Sequence, residues 1–576
     1  MSRTLVFDIE TDNLLLECTK FWVGYTYCME SKKYEKFLDV NTLIDSLNTA
    51  TTIVGHNIIG FDIPALNKLG TTKIREDIEV VDTLLLGRLA YYDKDISFGH
   101  SLDAYGERLG YAKGTHSDWS KYSEEMDVYC KRDVEVTVKV YQHLKRKTPW
   151  LPKEALELEQ NVQKIVTQQH INGWYFDLQK ARELHLELVT ELEEAIDALH
   201  NVFTPLFLPK GKTRTPKNPF RRLNVYTVGE NQPIELTHFN PGSGNHIVWW
   251  VEKLYGKQQW LLTDKGKPRT DSRTLKDMFR DKDWASPLLH YQEVKKLLGQ
   301  LSEGDNAWLK KVGKDNRIHG GANILGAVTG RFTHSSPNLA QVPSVRAYQG
   351  ENARSLFTVP KGYRLVGCDA SGLELRTLSH YLARYDGGAY GKKLIEEDIH
   401  TANQQAAGLP TRDNAKTFIY GFLYGAGDAK IGEIVNGTAS EGKRLKGQFL
   451  AKTNGLARLV EGVQTAAKRG YLRGVTGRRL FVRSPHAALN VLLQSAGAYI
   501  MKYYVVELDR RLKEENLDYK FVGNIHDEIQ MEVRECDADF ASRIAVECFS
   551  IVEEKILWRC KLEGEAKVGI NWADTH

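Results

Sequence analysis

The chain has 576 residues, of which 42% are apolar and 26% charged. At about 100–200 residues per domain this is room for roughly three to five cores, and the composition excludes wholesale disorder, collagen-like repeats and a disulfide miniprotein. The net charge of +4 is unevenly spread: residues 1–150 hold 19 Lys+Arg against 23 Asp+Glu, and the remainder 59 against 51. An acidic front on a basic body points to different tasks in the two parts. No apolar run approaches the ~20 residues of a membrane span; Val80–Leu89 is interrupted by Asp82 and Arg88. The start MSRTLVFDIETD has no signal-peptide h-region, so a cytosolic protein is expected. Seven widely spaced cysteines without a C-x-x-C predict free thiols rather than a zinc site or disulfide framework.

Residues 4–9, TLVFDI, predict a short buried strand ending in acids. Strand and helix patterns alternate to Thr148-Pro149-Trp150-Leu151-Pro152, where the first boundary is expected. Residues 153–170 follow a helical period that stops at Asn172-Gly173, and a second helix is predicted over 178–203, before Pro205 and Pro209. The loop 209–222, PKGKTRTPKNPFRR, holds six basic residues and no acid. It is either a solvated surface loop or one that touches phosphates. From about residue 320 the chain becomes glycine-punctuated.

Asp8 and Glu10 stand two apart on a strand and so face one side of a sheet. Asp62 closes the segment HNIIGFD (56–62), while Tyr129 and Asp133 share a helix face. Four converging carboxylates would repel one another unless cations neutralise them. Two hard divalent ions with oxygen ligands would do so, and such a pair can hydrolyse a phosphodiester. In this order the elements resemble the three motifs of proofreading 3′–5′ exonucleases with a ribonuclease-H-like fold. That resemblance implies Asp8, Glu10, Asp62 and Asp133 as metal ligands and Tyr129 as the residue orienting water.

Three later segments carry most of the remaining chemistry. In YRLVGCDASGLELR (363–376) an apolar strand delivers Asp369 to its end, with a helix to follow. In FVGNI-HDE-IQMEV (521–533) two β-type runs flank an acidic turn, predicting a hairpin with Asp527 and Glu528 at its tip. Asp369 and Asp527 lie 158 positions apart, so only the fold can unite them. In RDNAKTFIYGFLYG (412–425), with Thr411 as N-cap, Arg412, Lys416, Tyr420 and Tyr424 recur every four residues, drifting about 40° per step around a helix. Two cations followed by two aromatics suit a nucleotide with its triphosphate towards the helix start. Taken alone, the same face reads better as a surface salt-bridge run meeting core aromatics.

Together these segments strongly resemble motifs A, B and C of the family A DNA polymerases. Thr329-Gly330-Arg331 and PNLAQVP (337–343) resemble the family's template–primer contact, and Asn490 with Gln494 another; His526 is a further expected DNA contact. DIHTANQ (398–404), Tyr420 and SPHAALN (484–490) are most similar to replicative polymerases of autographivirus-type podoviruses. The resemblance implies an α/β multidomain chain. A ribonuclease-H-like 3′–5′ exonuclease (1–150) would precede a right-hand polymerase, with mainly thumb at 151–320, palm at 321–381 and 490–576, and helical fingers at 382–489. The palm would be an antiparallel sheet.

The family roles carry over residue by residue. Asp369 and Asp527, with the Ala370 carbonyl, would hold two Mg²⁺, and two more would bind at the exonuclease site, with Mn²⁺ as a substitute. Glu528 would belong to the same catalytic group. Arg412, Lys416 and His400 would stabilise the triphosphate, and Lys416 would protonate departing pyrophosphate. Glu374 would exclude ribonucleotides at the 2′ position. Tyr420, with Tyr424 beyond it, would pack on the incoming sugar and base; Tyr at 420 resembles polymerases that accept dideoxynucleotides. Arg331 and Gln494 would donate to minor-groove acceptors.

Primer–template DNA and dNTPs are the implied partners, with a phage helicase-primase and single-stranded DNA-binding protein, in the cytoplasm of an infected bacterium. A monomer is expected, with no membrane association. The stretch 201–236 is shorter than in podovirus relatives that carry a large insertion for thioredoxin. Processivity is therefore expected without thioredoxin, aided by Lys210, Lys212, Arg214, Lys217, Arg221 and Arg222. Two rival readings are a single-subunit RNA polymerase, disfavoured by HDE where HDS is usual in that class, and a nuclease or DNA-binding protein with a degenerate polymerase body.

Overall fold

The computed structural model describes residues 3–91, 99–213 and 232–576, together with the backbone of 220–222 and 225–227. Contacts divide the chain into two units: Met1–Tyr175 with Arg317–Gln341 and Phe357–His576, and Phe176–Asn316 with Val342–Leu356.

The first unit begins with a five-stranded sheet. Strands β1 (Thr4–Thr11), β2 (Phe21–Cys28), β3 (Tyr34–Phe37), β4 (Thr52–Gly55) and β5 (Glu79–Asp82) lie in the order β3-β2-β1-β4-β5. The β3-β2-β1 half is antiparallel and the β1-β4-β5 half parallel, which is the expected ribonuclease-H-like arrangement. Helices α1 (Val40–Leu47), α2 (Asp62–Leu69), α3 (Thr83–Ala90), α4 (Leu102–Arg108) and α5 (Glu124–Lys147) accompany it.

The two-residue period of β1 divides its side chains between two cores. Leu5, Phe7 and Ile9 pack with Leu43, Ile44, Ala65 and Leu66 of α1 and α2. Val6 packs with Met126, Cys130 and Val134 of α5. Asp8 and Glu10 are in phase with Val6, so the acids end up beneath α5. Burying each such Leu, Ile or Val contributes about 1.5–3 kcal/mol. That is enough to penalise any register slip that would turn the acids into the opposite core. Helix α5 starts where the Ser123 hydroxyl accepts from Met126 N–H, carries three acids in its first turn and Lys145, Arg146 and Lys147 in its last, and ends ahead of Pro149.

A second sheet orders Tyr519–Ile525, Glu528–Arg534, Tyr363–Ala370 and Gly564–Gly569 side by side, all antiparallel. Helices Ala538–Lys555 and Lys153–Asn172 pack on it, and Ala488–Glu514 packs against both helices; Val366, Cys368, Ile529 and Met531 meet Val162, Ile165, Tyr504 and Phe549 in the largest core. The break at Thr148–Pro152 ends α5 but not the first unit, because the helix after it packs on this sheet. Seven helices between Leu373 and Ala467 surround a further core containing Phe418, Ile419 and Phe449.

The second unit carries helices Leu178–Val202, Gly244–Tyr255, Ser272–Phe279 and Ala285–Leu298 around Leu199, Phe203, Trp250, Phe279 and Trp284. No helix among the described residues is long and apolar enough to cross a membrane.

Candidate functional site

At the first carboxylate cluster, ligand atoms of Asp8, Glu10 and Cys130 lie within 4.8 Å of one another. Asp62 begins α2, and its approach is fixed by Asp82. That carboxylate caps α3 at Leu84 N–H (2.9 Å) and accepts from Asn57 N–H (3.0 Å) and Ile59 N–H (3.2 Å). Asp133 lies one turn beyond Tyr129 on α5, and Lys113 Nζ is 2.7 Å from Asp133 Oδ2 and 4.6 Å from the Tyr129 ring centroid.

Burial, followed by repulsion among the acids, holds Asp8 and Glu10 well above the usual carboxylate range. Burial also raises Asp62 and Asp133, and Lys113 opposes it at Asp133. Glu10 Oε1 and Asp133 Oδ1 are buried with no hydrogen-bond partner. Burial pushes the Cys130 thiol up as well, so it stays neutral and donates to the Asp8 carbonyl at 3.5 Å. Orphaned buried carboxylate oxygens beside a neutral thiol suit a hard divalent cation.

The second cluster sits at the ends of two neighbouring strands. Asp369 is directly across from Glu528, and Ala370 N–H donates to the Asp527 carbonyl at 3.0 Å. Partial desolvation, then the charges of Glu528 and Asp527, raise Asp369 to about 7; desolvation and Glu374 raise Asp527 to about 6.

The hairpin differs from the expected one in one respect. Its tip is His526-Asp527, with His526 at φ +57°, and Glu528 is already the first residue of the return strand. Glu528 is buried rather than at the tip, and its carboxylate accepts from Trp572 Nε1 (2.8 Å), from the Gln530 amide and from His576 Nδ1 (3.2 Å). Burial opposes its ionisation, but these donors prevail and lower its pKa.

Along the helix Arg412–Leu423 the predicted face is present: Thr411 caps it through Asn414 N–H, and Ala415, Phe418, Ile419 and Leu423 are buried on the opposite side. Arg412, Lys416 and Tyr424 are exposed and Tyr420 half-buried. Arg412 pairs with Asp398 at 2.5 Å, and the His400 ring centroid is 6.4 Å from that of Tyr420. Tyr424 donates to Glu374 Oε1 at 3.0 Å, and Arg331 reaches the same oxygen at 3.4 Å. Arg331 also lines a 60 Å³ cavity with His526 and Asp527. These contacts tie Arg331, Glu374, Tyr424 and Asp527 into one site.

Asn490 and Gln494 are half-buried on the helix Ala488–Glu514, and Asn490 Oδ1 has no partner. Lys210 and Lys212 belong to the second unit, where Lys210 pairs with Glu235 at 2.6 Å. Arg214, Lys217 and the side chains of Arg221 and Arg222 lie outside the described residues. Sequence reasoning missed Lys113, Asp82, Trp572 and His576. All four lie in loops, at strand ends or at the chain end, where no periodicity marks them.

The model of DNA polymerase family A matches residues 226–574. The DNA-directed DNA polymerases of Enterobacteria phage T3 and Escherichia phage T7 are each 35% identical to this chain, over 99% of it and 100% of their own length. DNA polymerase I of Pseudomonas aeruginosa is 27% identical over 60% of the chain and 40% of its own length. The polymerase domain of Pol1 from M. smegmatis, solved with DNA primer-template and dNTP, superimposes with a TM-score of 0.80 at 20% identity, covering 100% of this chain and 96% of that one. On that match and those relatives, the chain belongs to DNA polymerase family A, and its similarity extends over nearly its whole length to the podovirus type.

Proposed function

We propose that this family A DNA polymerase extends a primer 3′-OH with dNTPs at the Asp369–Asp527 site, and that the Asp8–Glu10–Asp62–Asp133 site excises nucleotides in the 3′–5′ direction. One observation carries the reading. Acids from distant segments meet at two places, and at both, burial and then the neighbouring acids hold carboxylates above their ordinary pKa. Such groups need cations to ionise together. Bound Mg²⁺, or Mn²⁺ in its place, two ions per site, would supply that charge and lower the pKa of the attacking oxygen.

Asp369, Asp527 and the Ala370 carbonyl would hold the ions for synthesis; Asp8, Glu10, Asp62 and Asp133 would hold those for excision. Arg412, Lys416 and His400 bind the triphosphate, and Lys416 gives a proton to the departing pyrophosphate. Tyr420 packs on the incoming sugar and base. Glu374, held by Tyr424 and Arg331, occupies the space of a 2′-OH. Arg331 and Gln494 donate to acceptors that every correct pair presents in the minor groove. Asn490 and His526 add contacts to the DNA, and Tyr129 orients the water for excision.

We assign the exonuclease to 1–150, mainly thumb to 151–320, palm to 321–381 and 490–576, and fingers to 382–489, with the helix Lys153–Asn172 packed on the palm sheet. The chain works as a monomer in phage genome replication, in the cytoplasm of the infected cell, beside a helicase-primase and a single-stranded DNA-binding protein. Template-directed incorporation of dNTPs against rNTPs tests the reading. dNTP incorporation that disappears in Asp527→Ala supports it, and continued synthesis by that variant would overturn it.

A further inference from the structure

A cavity of about 620 Å³ opens beside the first carboxylate cluster. Its lining includes Asp8, Asp133 and Lys113 together with Leu325, Val328 and Arg478. The segment Asn323–Arg331 therefore serves two places at once. At its start, Asn323 Oδ1 accepts from Arg88 Nη1 of α3 at 2.7 Å. At its end, Arg331 meets Glu374 of the synthesis site.

Between those ends the segment is held by a buried relay. Arg478 Nη2 donates to the Val328 carbonyl at 3.0 Å, and Arg478 Nη1 to the Tyr499 hydroxyl at 2.7 Å. The Tyr499 hydroxyl donates in turn to Glu159, which also receives Lys502 Nζ at 2.7 Å. Glu159 and Tyr499 are 0% exposed, Lys502 1% and Arg478 4%. Buried charges are tolerated only when paired and hydrogen-bonded in a fixed geometry. Gly330 completes the clamp: it turns at φ +84°, and a Cβ there would lie 2.8 Å from the Tyr499 ring and 3.1 Å from Arg478 Nη1.

We infer that Arg478, supported by Tyr499 and Glu159, is a positioning residue that sets how a primer end is shared between synthesis and excision. None of the three touches a reacting group. Arg478 fixes the carbonyl three residues before Arg331, and it also lines the cavity that Asp8 and Asp133 line. Freeing that carbonyl loosens the Arg331 end, while Arg88 still holds the Asn323 end against the nuclease layer. The balance should then move towards excision. This inference rests on the nuclease reading of the first cluster.

The test measures excision and extension by the full-length enzyme on a matched primer end, and degradation of single-stranded DNA, in Arg478→Gln and Tyr499→Phe. The excision-to-extension ratio should rise about five-fold, the factor one buried hydrogen bond commands, in both variants. Single-stranded DNA, which does not choose between sites, should be degraded at an unchanged rate. A purely structural role would lower both activities in parallel with melting temperature, and an unchanged ratio, or one shifted towards extension, overturns the inference. If Arg478→Gln fails to fold, Tyr499→Phe, which keeps the ring, decides. Asp8→Ala with Glu10→Ala separates the two readings. If that pair abolishes excision while the ratio is unmoved in the relay variants, only the positioning role falls; if excision survives it, both fall.

Discussion

The indole Nε1–H of Trp572 donates to Glu528 Oε1 at 2.8 Å, joining the end of the chain to the carboxylate opposite Asp369. The ring is fully buried, with centroids 4.7 Å from Trp174 and 5.7 Å from Phe357. Trp572→Phe would keep most of the ring packing and remove one donor from a buried carboxylate. The expected loss is about 1–3 kcal/mol, with reduced synthesis because Glu528 is no longer held beside Asp369. Denaturant unfolding and primer extension measure the two effects; wild-type values in both would show that the contact is dispensable.

The two carboxylate clusters should be separable. Asp527→Ala is expected to cut synthesis by about a thousand-fold or more while leaving degradation of single-stranded DNA intact. Asp8→Ala with Glu10→Ala should do the reverse. Parallel loss of both activities in either variant would mean that one site serves both reactions.

Glu374 is fixed by Tyr424 and Arg331 rather than free to swing. Truncation to Ala removes the bulk proposed to occupy the 2′ position and leaves Tyr424 and Arg331 without that partner. The rNTP-to-dNTP incorporation ratio should rise about ten-fold or more, with dNTP incorporation falling less. A ratio unchanged in steady-state competition would remove Glu374 from sugar selection.

Much of this site was legible because its residues obey simple periods. Asp8 and Glu10 are two apart on a strand, and Arg412, Lys416, Tyr420 and Tyr424 four apart on a helix, so local geometry alone predicts shared faces. The strand–turn–strand pattern around Asp527 was equally plain, although its turn is one residue tighter than the acids suggested. What sequence could not show depends on long-range packing. Lys113 reaches Asp133, Trp572 reaches Glu528, and Glu159 reaches Tyr499 and Lys502. The last contact spans more than 300 residues and involves side chains that, in sequence, look like ordinary helix positions.

His380 stacks flat on Trp558, with ring centroids 3.6 Å apart and an 8° interplanar angle, and its Nδ1 accepts from Arg559 N–H at 3.1 Å. Burial, with the Arg559 charge second, lowers its pKa from 6.5 to about 4. The unfolded chain therefore binds a proton that the folded chain refuses between pH 6.5 and 4. The contribution is fully present above pH 6.5 and is lost as pH falls towards 4, about 1–3 kcal/mol in all. His56, held down to about 4 by burial, acts in the same direction. NMR titration should find the His380 ring neutral at pH 5.5; a midpoint near 6.5 would contradict the buried acceptor.

The alignments with the T3 and T7 polymerases run over 707 positions, against 576 residues here, so those relatives carry stretches without a counterpart in this chain. The basic loop 209–222 is proposed to offset part of that difference through phosphate contacts. Each phosphate neutralised adds about −0.9 to the slope of log affinity against log salt on duplex DNA. Replacing Lys210, Lys212, Arg214 and Lys217 by Gln should therefore flatten the slope by up to about 3–4 and shorten the products of single-hit primer extension. Lys210 is paired with Glu235, which offsets part of its own charge. A slope and product length unchanged by the substitutions, or products lengthened many-fold by added thioredoxin, would show that processivity comes from elsewhere.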